Sequence, residues 1–170
     1  PQDTSSAASD VYKRQRLPIG ILTADCVPIL IFDKQKKMVA AIHAGWKGAY
    51  KGIISKVINF MIKKGCEKKN IIAVIGPCIA QKSYNVKEDF KRKFLKKDKR
   101  NKVFFRKRKN LIYFDLSRYV KLQLKLMKIT NLETINIDTF PKKNNFFSAR
   151  RSLRLNHDDY GRNISLIMIN

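Results

Sequence analysis

The chain has 170 residues, 44% of them hydrophobic, and its 37 lysines and arginines outnumber 13 aspartates and glutamates, for a formal net charge of +24 at pH 7. This length and apolar content suit one globular domain with a buried core. No apolar run approaches the ~20 residues that a membrane-spanning helix needs, and no motif repeats at a fixed period, so we expect neither a membrane protein nor a solenoid.

The excess of basic residues allows two interpretations. They are spread along the chain and are densest between residues 87 and 109. A nucleic-acid groove is one reading of such a charge, and a solvated surface that attracts anionic substrates such as phosphate is the other. Because the charges are dispersed, we favour the solvated surface and expect no nucleic-acid partner.

Cysteine usage and the first residues give two further expectations. Cys26, Cys66 and Cys78 form an odd, sparse set, which argues against a disulfide framework and for a reducing cytoplasm. Residues 1–15 are small and polar, without apolar periodicity, and are typical of a disordered or foreign leader. We therefore expect a single domain at residues 16–170.

The predicted elements begin with residues 19–32, a run rich in Ile, Val and Leu that indicates a strand. A polar turn at residues 33–37 leads to a second strand at residues 38–43. A helix then runs to about residue 64, because its apolar positions recur at helical spacing, and Gly65 is a typical C-terminal stop.

The second half of the chain mixes shorter elements. Because strands and helices do not alternate strictly, the sequence predicts an α+β (mixed α/β) domain in which β-sheets are flanked by helices. The elements are a buried strand at residues 71–75, a helix at 86–97, a hairpin of 103–106 and 111–114, a helix capped by Asp115, and strands at 133–137 and 164–169.

The hairpin formed by the first two strands brings a cysteine and a histidine together. Its connection is too short for a parallel crossover, so the strands are antiparallel. With the turn centred between Lys34 and Gln35, Cys26 lies directly opposite His43. Cross-strand Cβ atoms are about 4.5–5.5 Å apart, close enough for a thiolate and an imidazole to share a zinc ion or to hydrogen-bond each other.

The residues around this pair fit a site. Asp25 places a carboxylate beside the cysteine, and Gly45 and Gly48 bracket Trp46 and Lys47 at a helix start, where backbone amides can receive phosphate. Packing is the alternative, because a lone cysteine in an apolar strand is usually a small hydrophobe and a buried tryptophan is as common as one that stacks a purine. The predicted cross-strand pairing makes the functional interpretation as strong as the structural one.

Four motifs, in this order, carry a family likeness. They are TADC with Pro28 at residues 23–28, HAGWKG at residues 43–48, IGPCI followed by YNV at residues 75–86, and FFSARR followed by GR at residues 146–162. Over residues 16–170 the chain resembles the YfiH/laccase-domain family, also called multicopper polyphenol oxidases and peptidoglycan editing factors. That family's fold is similar to the catalytic domain of cytotoxic necrotizing factor.

This resemblance implies a purine nucleoside phosphorylase. The implied reaction converts adenosine, inosine or methylthioadenosine with phosphate into a ribose 1-phosphate and the free base. Adenosine deamination and copper-dependent polyphenol oxidation belong to the same implied repertoire. The implied cofactor is zinc, with copper as the alternative, and the implied partners are a purine nucleoside and phosphate.

The resemblance also implies a zinc ion held by two histidines and one cysteine. Two of these ligands carry over to Cys26 and His43, which would then also be the catalytic pair. In the family the third ligand is a histidine upstream of the TADC strand, and no histidine precedes His43 here. We therefore expect the domain at residues 16–170 to lack its native N-terminal portion and its third zinc ligand. His157 falls in a polar segment that we expect at the surface.

Basic side chains are the candidates for substrate contacts. Guanidinium groups bind phosphate through two parallel hydrogen bonds, whereas surface ion pairing is their alternative role. The candidate phosphate- or ribose-binding residues are Lys47, Arg150, Arg151 and Arg162.

Two other functions stay open. An apposed cysteine and histidine also form the nucleophile and base of a hydrolase or amidase. An RNA-binding module would use the charge of +24, but no aromatic RNA-binding motif accompanies that charge.

Overall fold

The computed structural model describes residues 9–13, 17–157 and 160–169. Within them, ten strands form three sheets that five α-helices flank, which confirms the predicted α+β class. The strands are β1 (Ser9–Lys13), β2 (Ile19–Thr23), β3 (Val27–Asp33), β4 (Met38–Ala44), β5 (Ile71–Ile75), β6 (Asn85–Val86), β7 (Phe105–Arg108), β8 (Leu111–Phe114), β9 (Asn131–Thr134) and β10 (Asn163–Ile167). The helices are α1 (Trp46–Tyr50), α2 (Ile53–Lys63), α3 (Glu88–Lys97), α4 (Leu116–Leu126) and α5 (Ala149–Arg154).

The largest sheet forms the centre of the domain. Its strand order is β1-β4-β3-β5-β9, and its neighbours are antiparallel except for the parallel pair β5 and β9. The strands β3, β4 and β5 are almost continuously apolar because the sheet is covered on both faces. Helix α2 contributes to one face through Ile54, Val57, Ile58 and Met61, which are all buried in the main core.

The single strand expected at residues 19–32 is wrong, because the chain forms two strands there. β2 ends at Thr23 and β3 begins at Val27, with a bend between them. Asp25 in this bend has a φ of 83°, which turns the chain out of one sheet and into another. Cys26 therefore lies at the point where the chain changes sheets.

The register expected for the hairpin of β3 and β4 is also wrong. His43 pairs with Pro28, so Cys26 precedes the ladder and does not lie opposite His43. The turn is centred between Gln35 and Lys36, one residue later than expected, and Oδ1 of Asp33 accepts hydrogen bonds from the amides of both residues (2.9 and 2.7 Å). Such local carboxylate-to-amide bonds define a turn that apolar periodicity does not reveal.

The helix expected up to about residue 64 is divided in two. Gly52, with a φ of 82°, separates α1 from α2 in a left-handed conformation that suits glycine. Gly65, with a φ of 89°, follows the end of α2 as expected. The short α1 carries Trp46 and Lys47 to the end of β4, next to His43.

The second half of the chain follows the expected elements with shifted ends. The hairpin forms from β7 and β8, and the Asp115 side chain caps α4 by accepting a hydrogen bond from the amide of Arg118 at 2.9 Å. An aromatic cluster joins α3 to these elements, and the rings of Phe94 and Phe114 lie 4.7 Å apart within it. The strands expected at 133–137 and 164–169 form earlier, as β9 and β10.

A two-stranded sheet of β2 and β10 lies over the central sheet. Its inner face packs through Ile19 and Ile21 against Val39 and Ala41 of β4. Its outer face is apolar as well as exposed, which is unusual for a strand pair open to water. The exposed side chains of this face are Leu22, Ile164, Leu166 and Met168.

The leader expected at residues 1–15 is partly described. Ser9–Lys13 forms β1, which pairs antiparallel with β4, so these five residues form an edge strand of the central sheet. Residues 1–8 and 14–16 lie outside the described part of the chain. No helix among the described residues is long and apolar enough to cross a membrane.

Candidate active site

One pocket brings together most of the predicted site residues. Cys26, His43, Lys47 and Arg162 line a cavity of about 240 Å³, together with Trp46 and Tyr160 among others. Cys26 comes from the bend before β3, His43 from β4, and Lys47 from α1. Arg162 directly precedes β10, so the pocket joins segments from both ends of the chain.

Gly45 is the point at which the cysteine and the histidine approach each other. A Cβ atom at residue 45 would lie 3.0 Å from Sγ of Cys26 and 4.0 Å from Nε2 of His43. The thiol and the imidazole therefore share one small space, although they are not cross-strand partners. The expectation that they meet holds, and it is the strand change at Cys26 that brings them together.

Asp25 anchors the bend that carries Cys26. Its Oδ1 accepts a hydrogen bond from Oγ1 of Thr139 at 2.7 Å. Its Oδ2 accepts from Oγ of Ser148 at 3.0 Å and from the amide of Arg150 at 2.7 Å. The bend is thus tied to the segment after β9 and to the start of α5. The sequence places this carboxylate beside Cys26, but no local pattern in it marks the two hydroxyl groups as its partners.

The surroundings of the thiol and the imidazole favour the neutral form of each group. Burial, and then the nearby charge of Asp25, raise the pKa of the Cys26 thiol from 9.0 to about 11. Burial, and then the charge of Arg162, lower the pKa of His43 below its ordinary value. A neutral imidazole is the form that binds metal, whereas a thiol must lose its proton to do so.

Two of the predicted cations line the same pocket. The guanidinium of Arg162 lies over the ring of Tyr160, with its central carbon 4.0 Å from the ring centre. The ammonium of Lys47 lies 5.9 Å from the ring centre of Trp46. None of the other described residues that line this pocket is acidic. The pocket therefore offers two positive charges beside a thiol and an imidazole.

The other two predicted cations lie elsewhere. The Arg150 guanidinium donates to the carbonyl (2.9 Å) and to Oδ1 (3.0 Å) of Asn85, in a neighbouring cavity of about 740 Å³. The Arg151 guanidinium donates to the carbonyls of Thr139, Phe140 and Phe146 at 3.1, 2.7 and 2.6 Å. Arg151 thus binds the backbone of a loop and does not line the pocket of Cys26 and His43.

Trp46 separates this pocket from the neighbouring one. Its ring packs edge-on against Phe90 at 5.0 Å between centres, and it also lines both cavities. A third, small cavity of about 180 Å³ lies between them and is lined by Cys26, Tyr84 and Arg150. Trp46 is therefore partly a core residue and partly a wall of the site.

These features define a class of protein: a mixed α/β domain whose pocket combines a cysteine at a change of sheets, a histidine near a strand end and two basic side chains. A family model described as multi-copper polyphenol oxidoreductase laccase matches residues 4–170. The chain belongs to this family, and the resemblance seen in its four motifs is confirmed.

Individual relatives carry more specific names. The purine nucleoside phosphorylase of Rickettsia conorii is 39% identical over 160 residues, which cover 93% of this chain and 65% of the relative. An adenosine deaminase from an unknown prokaryotic organism is 38% identical over 86 residues, which cover 51% of this chain and 33% of the relative. The chain spans slightly less than two thirds of the length of the first of these.

Solved structures share the fold. The YfiH protein of Bacillus licheniformis has a TM-score of 0.83 at 29% identity, and the match covers 95% of this chain and 61% of that protein. A Neisseria meningitidis protein has a TM-score of 0.83 at 26% identity, with 95% of this chain and 64% of that protein covered. In both cases a third or more of the relative has no counterpart here.

The family implies a metal, and the residues present fit one only in part. Cys26 and His43 supply two donors of the types that zinc and copper prefer. No group of three or more His, Cys, Asp or Glu side chains suited to a metal ion exists within residues 9–13, 17–157 and 160–169. His157 is exposed outside the pocket and Cys78 is buried beside Asp138, so neither completes the set.

Proposed function

We propose that this chain is the main part of a purine nucleoside phosphorylase that acts on adenosine, inosine and methylthioadenosine. The observation that carries the proposal is the single pocket in which Cys26 and His43 lie beside Lys47 and Arg162. The names of the relatives support the substrate class, since several are called purine nucleoside phosphorylase at 32–39% identity. The chain would supply the pocket walls and most of the charged contacts.

Each side chain has a definite task in this proposal. Lys47 and Arg162 bind and orient the phosphate, because two cations in a half-enclosed pocket favour a doubly charged anion. A phosphate oxygen then forms a bond to C1′ of the ribose as the bond from C1′ to the base breaks. The departing base keeps the bonding electrons and takes up a proton, which gives a ribose 1-phosphate and the free purine.

The proposed metal ligands are Cys26 and His43. Zinc, or copper as the alternative, would supply Lewis acidity and help to orient the substrate. The third ligand is proposed to come from the part of the family domain that this chain does not span. The support for this proposal is the donor chemistry of the two side chains and the closeness of both to Gly45, whose Cβ position lies 3.0 Å from Sγ and 4.0 Å from Nε2.

Adenosine deamination is a second proposed activity of the same pocket. Its support is the relative named adenosine deaminase, whose 86 matched residues are 38% identical. The alternative of a Cys–His hydrolase or amidase is weaker. Such a dyad needs a thiol that ionises without the help of a metal ion, and the pKa of Cys26 is raised rather than lowered.

Phosphate-dependent release of hypoxanthine from inosine tests the proposal. The assay uses this chain alone, and this chain extended by the upstream segment of the Rickettsia conorii relative to complete the metal site. We expect release in the extended protein, together with bound zinc measured by elemental analysis. Cys26→Ala and His43→Ala should abolish both, whereas His157→Ala, which removes an exposed histidine outside the pocket, should change neither.

Several outcomes would contradict the proposal. Base release that does not need phosphate would indicate a hydrolase. Activity that survives complete chelation would remove the metal. Oxidation of phenols that depends on copper, without nucleoside turnover, would favour the polyphenol oxidase. Binding of RNA with a steep dependence on salt would favour the RNA-binding module.

A further inference from the structure

We infer that Asp25 is a positioning residue that holds the thiol of Cys26 towards His43. The inference rests on the proposed function in one respect, namely that Cys26 acts in the site. It deepens that proposal by assigning the orientation of Cys26 to a carboxylate outside the set of residues that line the pocket of Cys26 and His43. The mechanism is a set of three hydrogen bonds that Asp25 accepts from segments far away in the chain.

The backbone of Asp25 holds an uncommon conformation. Its φ of 83° lies in the left-handed region, which glycine adopts freely and which asparagine and aspartate adopt more often than other residues. A strained conformation persists only where the surroundings determine it, and such strain gathers at functional sites. At Asp25 the surroundings are the three donors to its carboxylate.

Burial makes these hydrogen bonds strong. Asp25 is 8% exposed, Thr139 is 1% exposed and Ser148 is fully buried. A buried carboxylate needs hydrogen-bond donors, and bonds to an ionised acceptor are stronger than bonds between neutral groups. The carbonyl of Asp25 accepts a further hydrogen bond from the amide of Ile79 at 3.0 Å. Residue 25 is therefore fixed through both its side chain and its backbone.

The hydrogen bonds of Asp25 also determine the position of Cys26. It is the next residue along the chain, and it has no cross-strand partner in the hairpin of β3 and β4. The same anchor fixes the start of α5, where Ala149 lines the pocket together with Gly45 and Trp46. One carboxylate thus links the TADC and FFSARR motifs and sets the distance between the walls that they provide.

The test measures how fast iodoacetamide alkylates each cysteine of the folded chain, resolved by peptide mass spectrometry. Thr139→Val removes one donor and keeps the charge of Asp25, so it separates positioning from electrostatics. We expect it to raise the alkylation rate of Cys26 about tenfold, since a lost hydrogen bond to a buried charged group favours local opening. Thr139→Ser keeps the hydroxyl and should behave like the parent.

Cys66 serves as the internal reference, because it is buried in the main core. Cys78 is not used in this way, since the amide of Thr139 donates a hydrogen bond to its carbonyl at 3.2 Å. Asp33→Asn is the matched control, since Asp33 is a fully buried carboxylate at the other end of β3. It should leave the Cys26 rate unchanged. Equal rates in Thr139→Val and the parent would overturn the inference, as would an equal increase in Asp33→Asn or in Thr139→Ser.

A second measurement tests whether the position of the Cys26 thiol affects its binding to a metal ion. The extended protein is loaded with cobalt, and the thiolate-to-cobalt absorption band is recorded for the parent, Thr139→Val and Thr139→Ser. We expect a weakened band in Thr139→Val alone. An absent band in the parent would contradict the proposed metal role, while the alkylation rates would still decide whether Asp25 positions Cys26. A full-strength band in Thr139→Val would overturn the inference.

Discussion

Gly45 lies directly against Cys26, at a distance that leaves no room for a side chain between the thiol and the imidazole of His43. A Cβ atom at residue 45 would be 3.0 Å from Sγ and 4.0 Å from Nε2. The backbone does not require glycine here, since its φ is −70°. It is therefore the close approach of Cys26 that excludes a larger residue at this position.

Gly45→Ala should consequently weaken the site more than the fold. The new methyl group would push the thiol away from its position and enter the space between the two proposed ligands. We expect reduced zinc content and reduced phosphorolysis in the extended protein, with a free energy of unfolding within about 1 kcal/mol of the parent. Elemental analysis, the hypoxanthine assay and urea denaturation measure the three quantities.

Gly52→Ala is a control with the opposite expected result, because it should affect the fold and not the site. Gly52 has a φ of 82° and lies outside the pocket, so alanine strains the backbone without touching the site. We expect a loss of about 1 kcal/mol in the free energy of unfolding, with unchanged zinc content. Equal effects of the two substitutions on zinc content would show that Gly45 has no particular role at the site.

The meeting of Cys26 and His43 was predictable from the sequence, but its geometry was not. Apolar patterning and a short connection identified the hairpin of β3 and β4. The exact turn depended on two hydrogen bonds to Asp33, and the strand break depended on the backbone of Asp25. Both are local polar effects that hydrophobic periodicity does not contain. The expected register and the expected continuous strand were both wrong, but the two errors offset each other. The side chains of Cys26 and His43 therefore still share a pocket.

The long-range hydrogen-bond partners of Asp25 could not be predicted from the sequence for a different reason. The hydroxyl groups that bind Asp25 lie more than 110 residues away, and nothing in their local sequence marks them as its partners. The FFSARR motif drew attention to Arg151 as a phosphate ligand, but its place at the start of α5 directs the guanidinium to backbone carbonyls. Which face of a short helix meets a loop is decided by tertiary packing.

Arg151→Lys should therefore lower stability. A lysine keeps the positive charge but cannot reproduce the planar fork that reaches the carbonyls of Thr139, Phe140 and Phe146. We expect a loss of about 2 kcal/mol in the free energy of unfolding, measured by urea denaturation. Arg154→Lys on the exposed side of α5 is the matched control and should change it by less than about 0.5 kcal/mol. A stable Arg151→Lys variant with a raised KM for phosphate would instead support phosphate binding.

Lys47→Gln and Arg162→Gln should weaken phosphate binding. Both cations line the pocket of Cys26 and His43, so each lost charge should raise the KM for phosphate about tenfold in the extended protein. Lys56→Gln, at an exposed position of α2, removes the same charge from outside the pocket and should leave the KM unchanged. An equal increase in all three variants would show that the phosphate responds to the net charge of +24 and not to a site.

Cys78 should make stability depend on pH in the alkaline range. Burial is the main cause that raises the pKa of its thiol from 9.0 to about 12 in the folded chain. Above the ordinary thiol value the unfolded chain loses this proton while the folded chain keeps it, so the free energy of unfolding falls as the pH rises. The contribution is complete below pH 9.0 and decreases towards the folded value.

The measurement compares urea denaturation of the parent and Cys78→Ala between about pH 8 and about pH 11. Lysine and tyrosine side chains also titrate in this range, but they do so in both proteins, so the difference between the two slopes isolates residue 78. We expect the parent to lose up to about 1.4 kcal/mol more than Cys78→Ala for each pH unit above the ordinary thiol value. Parallel curves would mean that the thiol ionises equally well in the folded chain, which its burial beside Asp138 opposes.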